Sequence, residues 1–267
     1  MTIPSEPRLE NPVLRRLRAG EAALGMSVRL SRSADVARIA RASGHDFIFI
    51  DTQHSIFDLE TIGHIAQTAM ACDIAPVVRV RGVDDPDTSL LLDNGVLGIV
   101  FPDVNTPEQA RRGVETCRFA PRGRRSLAGG YPHFDFRPVP AGRLVSQLDD
   151  ATLVACMIET EEGLANVEAI AAIDGVDVLH LGSTDYLSDI GKPGQFDHPA
   201  LKAAQEKVIE AARRHGKFAG CGGNRDVERQ VKAIQAGARF LTTQTDAGFL
   251  LAAADQWTSG VRKALGA

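Results

Sequence analysis

The sequence predicts a single (β/α)8 barrel, on three observations. Eight apolar runs of strand length, rich in Val, Ile and Phe, recur between residues 25 and 244. Longer stretches with helical periodicity alternate with them, joined by mostly short connections. No linker or internal repeat divides the chain, and 267 residues suit one barrel. Residues 1–267 therefore read as one TIM-barrel domain, with 1–12 as a flexible N-terminal segment.

The elements follow in order. Residues 25–30 form the first strand and 47–51 the second, which ends Phe47-Ile48-Phe49-Ile50-Asp51. Asp58-Leu59-Glu60 opens a helix with Leu59, Ile62, Ile65, Ala66 and Ala69 on one face. The third strand is 76–80. The fourth is 98–102, whose end, Ile99-Val100-Phe101-Pro102, is an apolar wall without evident chemistry. Thr106-Pro107-Glu108 starts a helix, with a capping hydroxyl and proline at the first helical position. Residues 121–148 break the rhythm, with Arg122, Arg124, Arg125, Gly129-Gly130-Tyr131-Pro132, Pro138 and Pro140. That stretch is too long for an ordinary connection and is a candidate binding loop or oligomer contact. Strands five to eight are 153–159, 176–182, 218–222 and 240–244. His198-Pro199 opens a helix that runs through Arg214 and stops at Gly216.

Composition removes several classes of function. Hydrophobic content is 44% and charged content 24%, so disorder is not expected. A net charge of −4 without a basic block argues against nucleic acid. The first residues lack the apolar core of a secretory signal, and no stretch approaches the about 20 apolar residues that span a bilayer. Cys72, Cys117, Cys156 and Cys221 form no C-x-x-C pair and read as reduced core thiols. The expectation is a cytoplasmic protein.

Two acids stand where strands empty into loops, the face on which such barrels do chemistry. Glu159 closes Leu153-Val154-Ala155-Cys156-Met157-Ile158, and Asp185 follows Val178-Leu179-His180-Leu181-Gly182-Ser183-Thr184. Two hard oxygen donors there suit a divalent cation such as Mg²⁺ or Mn²⁺. The alternative for Glu159 is a helix cap, since Thr160-Glu161-Glu162 begins a helix. Strand alternation puts Met157 on the same face as Glu159. Asp51 ends the second strand and precedes Thr52-Gln53-His54, placing an imidazole near carboxylates, where it can move protons. Arg79 ends the third strand. Pointed into the mouth, its guanidinium requires an anion such as a carboxylate or an enolate oxygen.

Taken together, these residues resemble the HpcH/HpaI aldolases, metal-dependent pyruvate aldolases related to macrophomate synthase. The resemblance runs from Gly25 to about Ala254. It rests on Phe-Ile-Phe-Ile-Asp51-Thr-Gln-His54, Pro-Val-Val-Arg79-Val, Leu-Leu-Asp93-Asn-Gly, Ile-Glu159-Thr-Glu-Glu-Gly and Leu-Gly182-Ser-Thr-Asp185-Tyr-Leu-Ser, in family order and spacing. It implies that Glu159 and Asp185 hold the metal (Mg²⁺, Mn²⁺ or Co²⁺) and that His54 is the acid/base. It gives Asp93 the role of the acid that raises the histidine's basicity, in the family from a neighbouring subunit. Arg79 then stabilises the enolate, Thr184 with the Gly182-Ser183 backbone receives the substrate carboxylate, and Asp51 shapes the nucleophile pocket. The implied reaction joins a 2-oxo acid enolate, of pyruvate or hydroxypyruvate type, to an aldehyde, or reverses that step.

Gln53 and Met157 depart from the family's usual Glu-His and Gln-x-Glu patterns and bear on nucleophile specificity. The family also implies a homohexamer, a trimer of dimers, in which a C-terminal helix (248–265 here, with Phe249, Leu250 and Trp257) packs on a neighbour. No nucleic acid or membrane is expected as a partner. Three rivals remain: a metal-enolate lyase or synthase acting on a larger acid or a CoA ester, with Arg122, Arg124 and Arg125 facing the phosphates; a phosphate-binding barrel around Gly220-Cys221-Gly222-Gly223-Asn224; and a catalytically dead barrel used as a binding module.

Overall fold

The computed structural model describes residues 9–266. Eight parallel strands close into a barrel in sequence order: β1 (Ala23–Val28), β2 (Phe47–Asp51), β3 (Ala75–Arg79), β4 (Gly98–Phe101), β5 (Leu153–Ile158), β6 (Val178–Gly182), β7 (Phe218–Gly222) and β8 (Phe240–Thr245). β8 returns to β1, pairing Leu24 with Leu241, and so no sheet edge is left open. Sequence and structure differ at strand ends by at most two residues.

Most strands are buried on both faces, which is why their sequences are near-continuous apolar runs rather than alternating ones; β8, with Thr242, Thr243, Gln244 and Thr245, is the exception. Phe47, Phe49, Ala75, Val77, Ala155 and Met157 fill the barrel interior. Ile48, Ile50, Val78, Cys156 and Ile158 face the surrounding helices. Phe47 stacks on Phe240 with centroids 4.5 Å apart. The pair leans over Gly25, where a Cβ would come within 2.1 Å of the Phe47 ring, so this strand position requires glycine.

A short helix, Pro12–Arg18, plugs the N-terminal end of the barrel with Val13, Leu14 and Leu17. Asn11 caps it and is itself buried; its amide donates to Leu97 O and Ala151 O, at 2.9 and 2.8 Å. Residues 9–12, read from sequence as part of a flexible segment, thus lie against the barrel base, while residues 1–8 of that expectation fall outside the described residues.

The helix starts are those expected. Asp58 caps Leu59–Ala71 through Thr61 N, and Thr106 forms a capping box with Gln109 ahead of Pro107–Cys117. Pro199–Arg214 ends before Gly216, whose φ is 64°. Leu59, at the first helical position, is 39% exposed, whereas Ile62, Ile65, Ala66 and Ala69 are buried. The irregular stretch differs from expectation. It contains a 3-10 turn, Pro132–Phe134, and a helix, Ala141–Ala151. Lying between a helix and β5, it belongs to the base of the barrel. There Pro132 and His133 share a cavity with Leu9, Met70 and Leu97. It is not a binding loop over this chain's own mouth.

Candidate active site

The strand C-termini surround a cavity of about 450 Å³. His54, Arg79, Met157, Gly182, Thr184 and Asp185, all foreseen from sequence, line it.

The two strand-end acids of β2 and β5 are both buried but are treated oppositely. Asp51 is fully buried and accepts a bidentate pair from Arg79, Nε at 3.0 Å and Nη2 at 2.7 Å. Arg29 adds an ion pair at 2.6 Å, and the backbone N–H groups of Gln53 and His54 donate to Oδ1. Burial pushes the Asp51 carboxyl up, but its hydrogen bonds and charge pairing with Arg79, helped by Arg29, hold it below the ordinary carboxylate range. Asp51 thereby also fixes the start of the His54 loop.

Glu159 is 2% exposed and accepts one hydrogen bond, from the Asp103 N–H to Oε1 at 2.8 Å. Its Oε2 is buried without a partner. Burial pushes this carboxyl up to about 7, with the charges of Asp103 and Asp185 adding to the effect. The influence of Asp185 marks the two acids as electrostatic neighbours. Gly182 is what admits Oε2, since a Cβ there would lie 2.3 Å from it. An orphaned, partly protonated carboxylate beside a second acid is unfavourable alone and becomes favourable when a cation neutralises it. The residues present therefore fit a divalent metal held by Glu159 and Asp185. Among the described residues no group of three or more His, Cys, Asp and Glu could hold an ion, so the candidate site would offer a metal two protein carboxylates.

Arg79 is 5% exposed, and Asp51 takes two of its three nitrogens. The third, Nη1, meets only the Met157 sulfur, at 3.8 Å. It is the nitrogen available to a substrate oxygen. Gln53 reaches toward Asp103 at 3.4 Å. Ser183 is buried and Thr184 exposed at the head of the Ser183–Asp189 helix. Asp93 is not brought to His54 within this chain. It ends the Thr88–Asp93 helix and accepts from Arg125 at 2.8 Å. Arg124 pairs with Glu115, so these arginines form no anion patch at the mouth.

Sequence reasoning missed Asp103, Arg29, Arg225 and the position of His180. Asp103 directly follows the supposedly inert end of β4 and adopts φ 53°, which turns its N–H onto Glu159. His180 shares the inward face of β6 with Val178 and Gly182, so the strand period of two would have placed it. It is 1% exposed, with its ring edge-on to Phe240 at 5.5 Å. Burial, with Arg79 nearby, pushes it down to about 3, so it is neutral and not a proton shuttle near neutrality. Nothing local in the sequence marks Arg29 or Arg225, which meet only when the barrel closes.

A family model described as HpcH/HpaI aldolase/citrate lyase matches residues 26–253. A 4-hydroxy-4-methyl-2-oxoglutarate aldolase of Chaetomium globosum is 37% identical over 95% of this chain and 96% of its own. A hydroxypyruvate/pyruvate aldolase of Sagittula stellata is 32% identical over 89% and 92%. The crystal structure of an HpcH/HpaI aldolase from Desulfitobacterium hafniense superposes with a TM-score of 0.89 at 28% identity, covering 94% of this chain and 96% of that one.

Proposed function

Because the chain belongs to the HpcH/HpaI aldolase/citrate lyase family, we propose that it is a divalent-metal-dependent carbon–carbon lyase. It makes or cleaves the bond between the enolate of a 2-oxo acid, of pyruvate or hydroxypyruvate type, and a carbonyl compound. The observation that carries this reading is the orphaned Glu159 Oε2, buried beside Gly182 and within the field of Asp185.

Glu159 and Asp185 would hold the cation (Mg²⁺, Mn²⁺ or Co²⁺), which when bound supplies Lewis acidity to the carboxylate and keto oxygens of the 2-oxo acid. Thr184, with the Gly182-Ser183 backbone, receives the substrate carboxylate. Arg79 offers Nη1 to the oxygen that gains charge as C3 loses its proton, and Asp51 keeps the guanidinium aimed. His54, on the loop that Asp51 anchors, takes and returns protons at the electrophile's oxygen. Met157 gives Arg79 a soft, weak acceptor in place of an amide, leaving Nη1 free for substrate.

The C-terminal helix Asp246–Ala264 has no buried residue, and Phe249, Leu250, Leu251 and Trp257 are exposed along it. That face suits packing on a second copy of the chain, in a trimer of dimers, where the partner subunit would bring its Asp93 near His54. Among the described residues no helix is long and apolar enough to cross a membrane.

The test is exchange of pyruvate methyl protons in D₂O, with hydroxypyruvate and oxaloacetate beside it. Metal-dependent exchange that is removed by chelator and restored by Mn²⁺ is expected. Full exchange in a metal-free preparation refutes the assignment.

A further inference from the structure

The mouth holds more positive charge than enolate chemistry uses. Arg29 extends from the end of β1, Arg79 from β3, and Arg225 from the segment after β7; all three line one cavity. Asp51 is the buried acid that answers them, and it is already shared by Arg79 and Arg29. Among the described residues no carboxylate forms an ion pair with Arg225. Burial and the charges of Arg29 and Arg79 act against the Arg225 guanidinium, with Asp51 in partial compensation. A guanidinium keeps its proton regardless, so the Arg225 charge faces the cavity without a carboxylate partner and is available to an anion.

The surroundings leave space for that anion. Gly222 and Gly223 present no side chains to the cavity, and the hydroxyl residues Ser27 and Thr242 also line it. Gly223 has φ 81°, and a Cβ there would lie 2.5 Å from Thr184 Oγ1, so any other residue would both strain the turn and fill the pocket.

We propose that Arg225, assisted by Arg29, binds a carboxylate on the electrophile, so that the second reactant is itself a 2-oxo acid rather than a plain aldehyde. The proposal rests on the aldolase reading and adds an electrophile subsite to it. In the cleavage direction the substrate is a 4-hydroxy-2-oxo acid with a further carboxylate on C4. The C4 hydroxyl gives its proton to the base, and C4–O becomes a carbonyl. The C3–C4 bond breaks, its electron pair passes to the C2–C3 enolate, and C3 then takes a proton. Two 2-oxo acids leave, with no oxidant or reductant consumed. Guanidinium groups suit this task because they meet a carboxylate with paired, fixed donors.

The experiment compares kcat/KM of the full chain, loaded with Mn²⁺, for 4-hydroxy-4-methyl-2-oxoglutarate and for 4-hydroxy-2-oxopentanoate, which lacks the C4 carboxylate. The wild type should prefer the former. Arg225→Gln should reduce that preference by roughly 10- to 100-fold, as expected for losing a charge-assisted contact, through KM more than kcat. Arg225→Lys should restore part of it. An unchanged preference in Arg225→Gln, or equal losses on both substrates, overturns the subsite. Pyruvate proton exchange by the wild type separates the two levels. Exchange with an unchanged preference removes only the subsite, whereas absence of exchange and of cleavage removes the aldolase reading and the subsite with it.

Discussion

The ends of β2 and β5 each carry one buried carboxylate, and the contrast between them separates positioning from binding. Asp51 is saturated with two arginines and two backbone donors, and it is held ionised. Glu159 has a single backbone donor and one oxygen with nothing to accept from, and burial pushes it up to about 7. A saturated acid stabilises the fold it sits in; an unsatisfied one costs stability until its ligand arrives. Stability and activity should therefore divide between the two positions.

The largest effect is expected on activity. Glu159→Ala or Asp185→Ala should lower kcat/KM by on the order of 10³-fold or more and abolish metal binding read by calorimetry, while the circular dichroism of the barrel is retained. Next is Asp51→Ala, which leaves Arg79 and Arg29 without their acid. It should cost about 3–5 kcal/mol in urea unfolding and disorder the His54 loop. A cost below about 1 kcal/mol would remove the contrast, since that is the range of exposed pairs.

Smaller and opposite in sign is Glu159→Gln without metal. The folded-state Glu159 value of about 7 lies above the ordinary 4.5, so its contribution is most favourable below pH 4.5 and is lost as pH rises to 7. Glu159→Gln should thus exceed metal-free wild type in stability by about 3 kcal/mol at pH 7.5, with the gain shrinking to nothing near pH 4.5. The difference between the two proteins cancels the titration of groups remote from Glu159. For the same reason Mn²⁺ affinity of the wild type should fall about tenfold per pH unit below 7. Smallest is Met157→Gln. An amide beside Arg79 Nη1 should change the ratio of hydroxypyruvate to pyruvate use by about 3- to 10-fold, read as competing kcat/KM values. An unchanged ratio would reduce Met157 to packing.

The barrel and half of its mouth are legible in the order of the residues. Strands buried on both faces are largely apolar, so eight short runs rich in apolar residues announced eight parallel strands. Chemistry at the strand C-termini then drew attention to Asp51, Arg79, Glu159 and Asp185. Helix starts at Asp58 and Thr106 were equally legible, because capping is decided within four residues. Tertiary structure alone decided which of those charges neutralise one another. Arg29 and Arg225 converge near Asp51 and Arg79 because β8 closes onto β1, a register that no local pattern encodes. Asp103 reaches Glu159 through a backbone turn to positive φ, and Gly182 is needed only because an oxygen from the neighbouring strand occupies the space of its missing Cβ. Periodicity reports which side of an element is buried. Electrostatic pairing depends on distances across the closed barrel, and those exist only once the chain has folded.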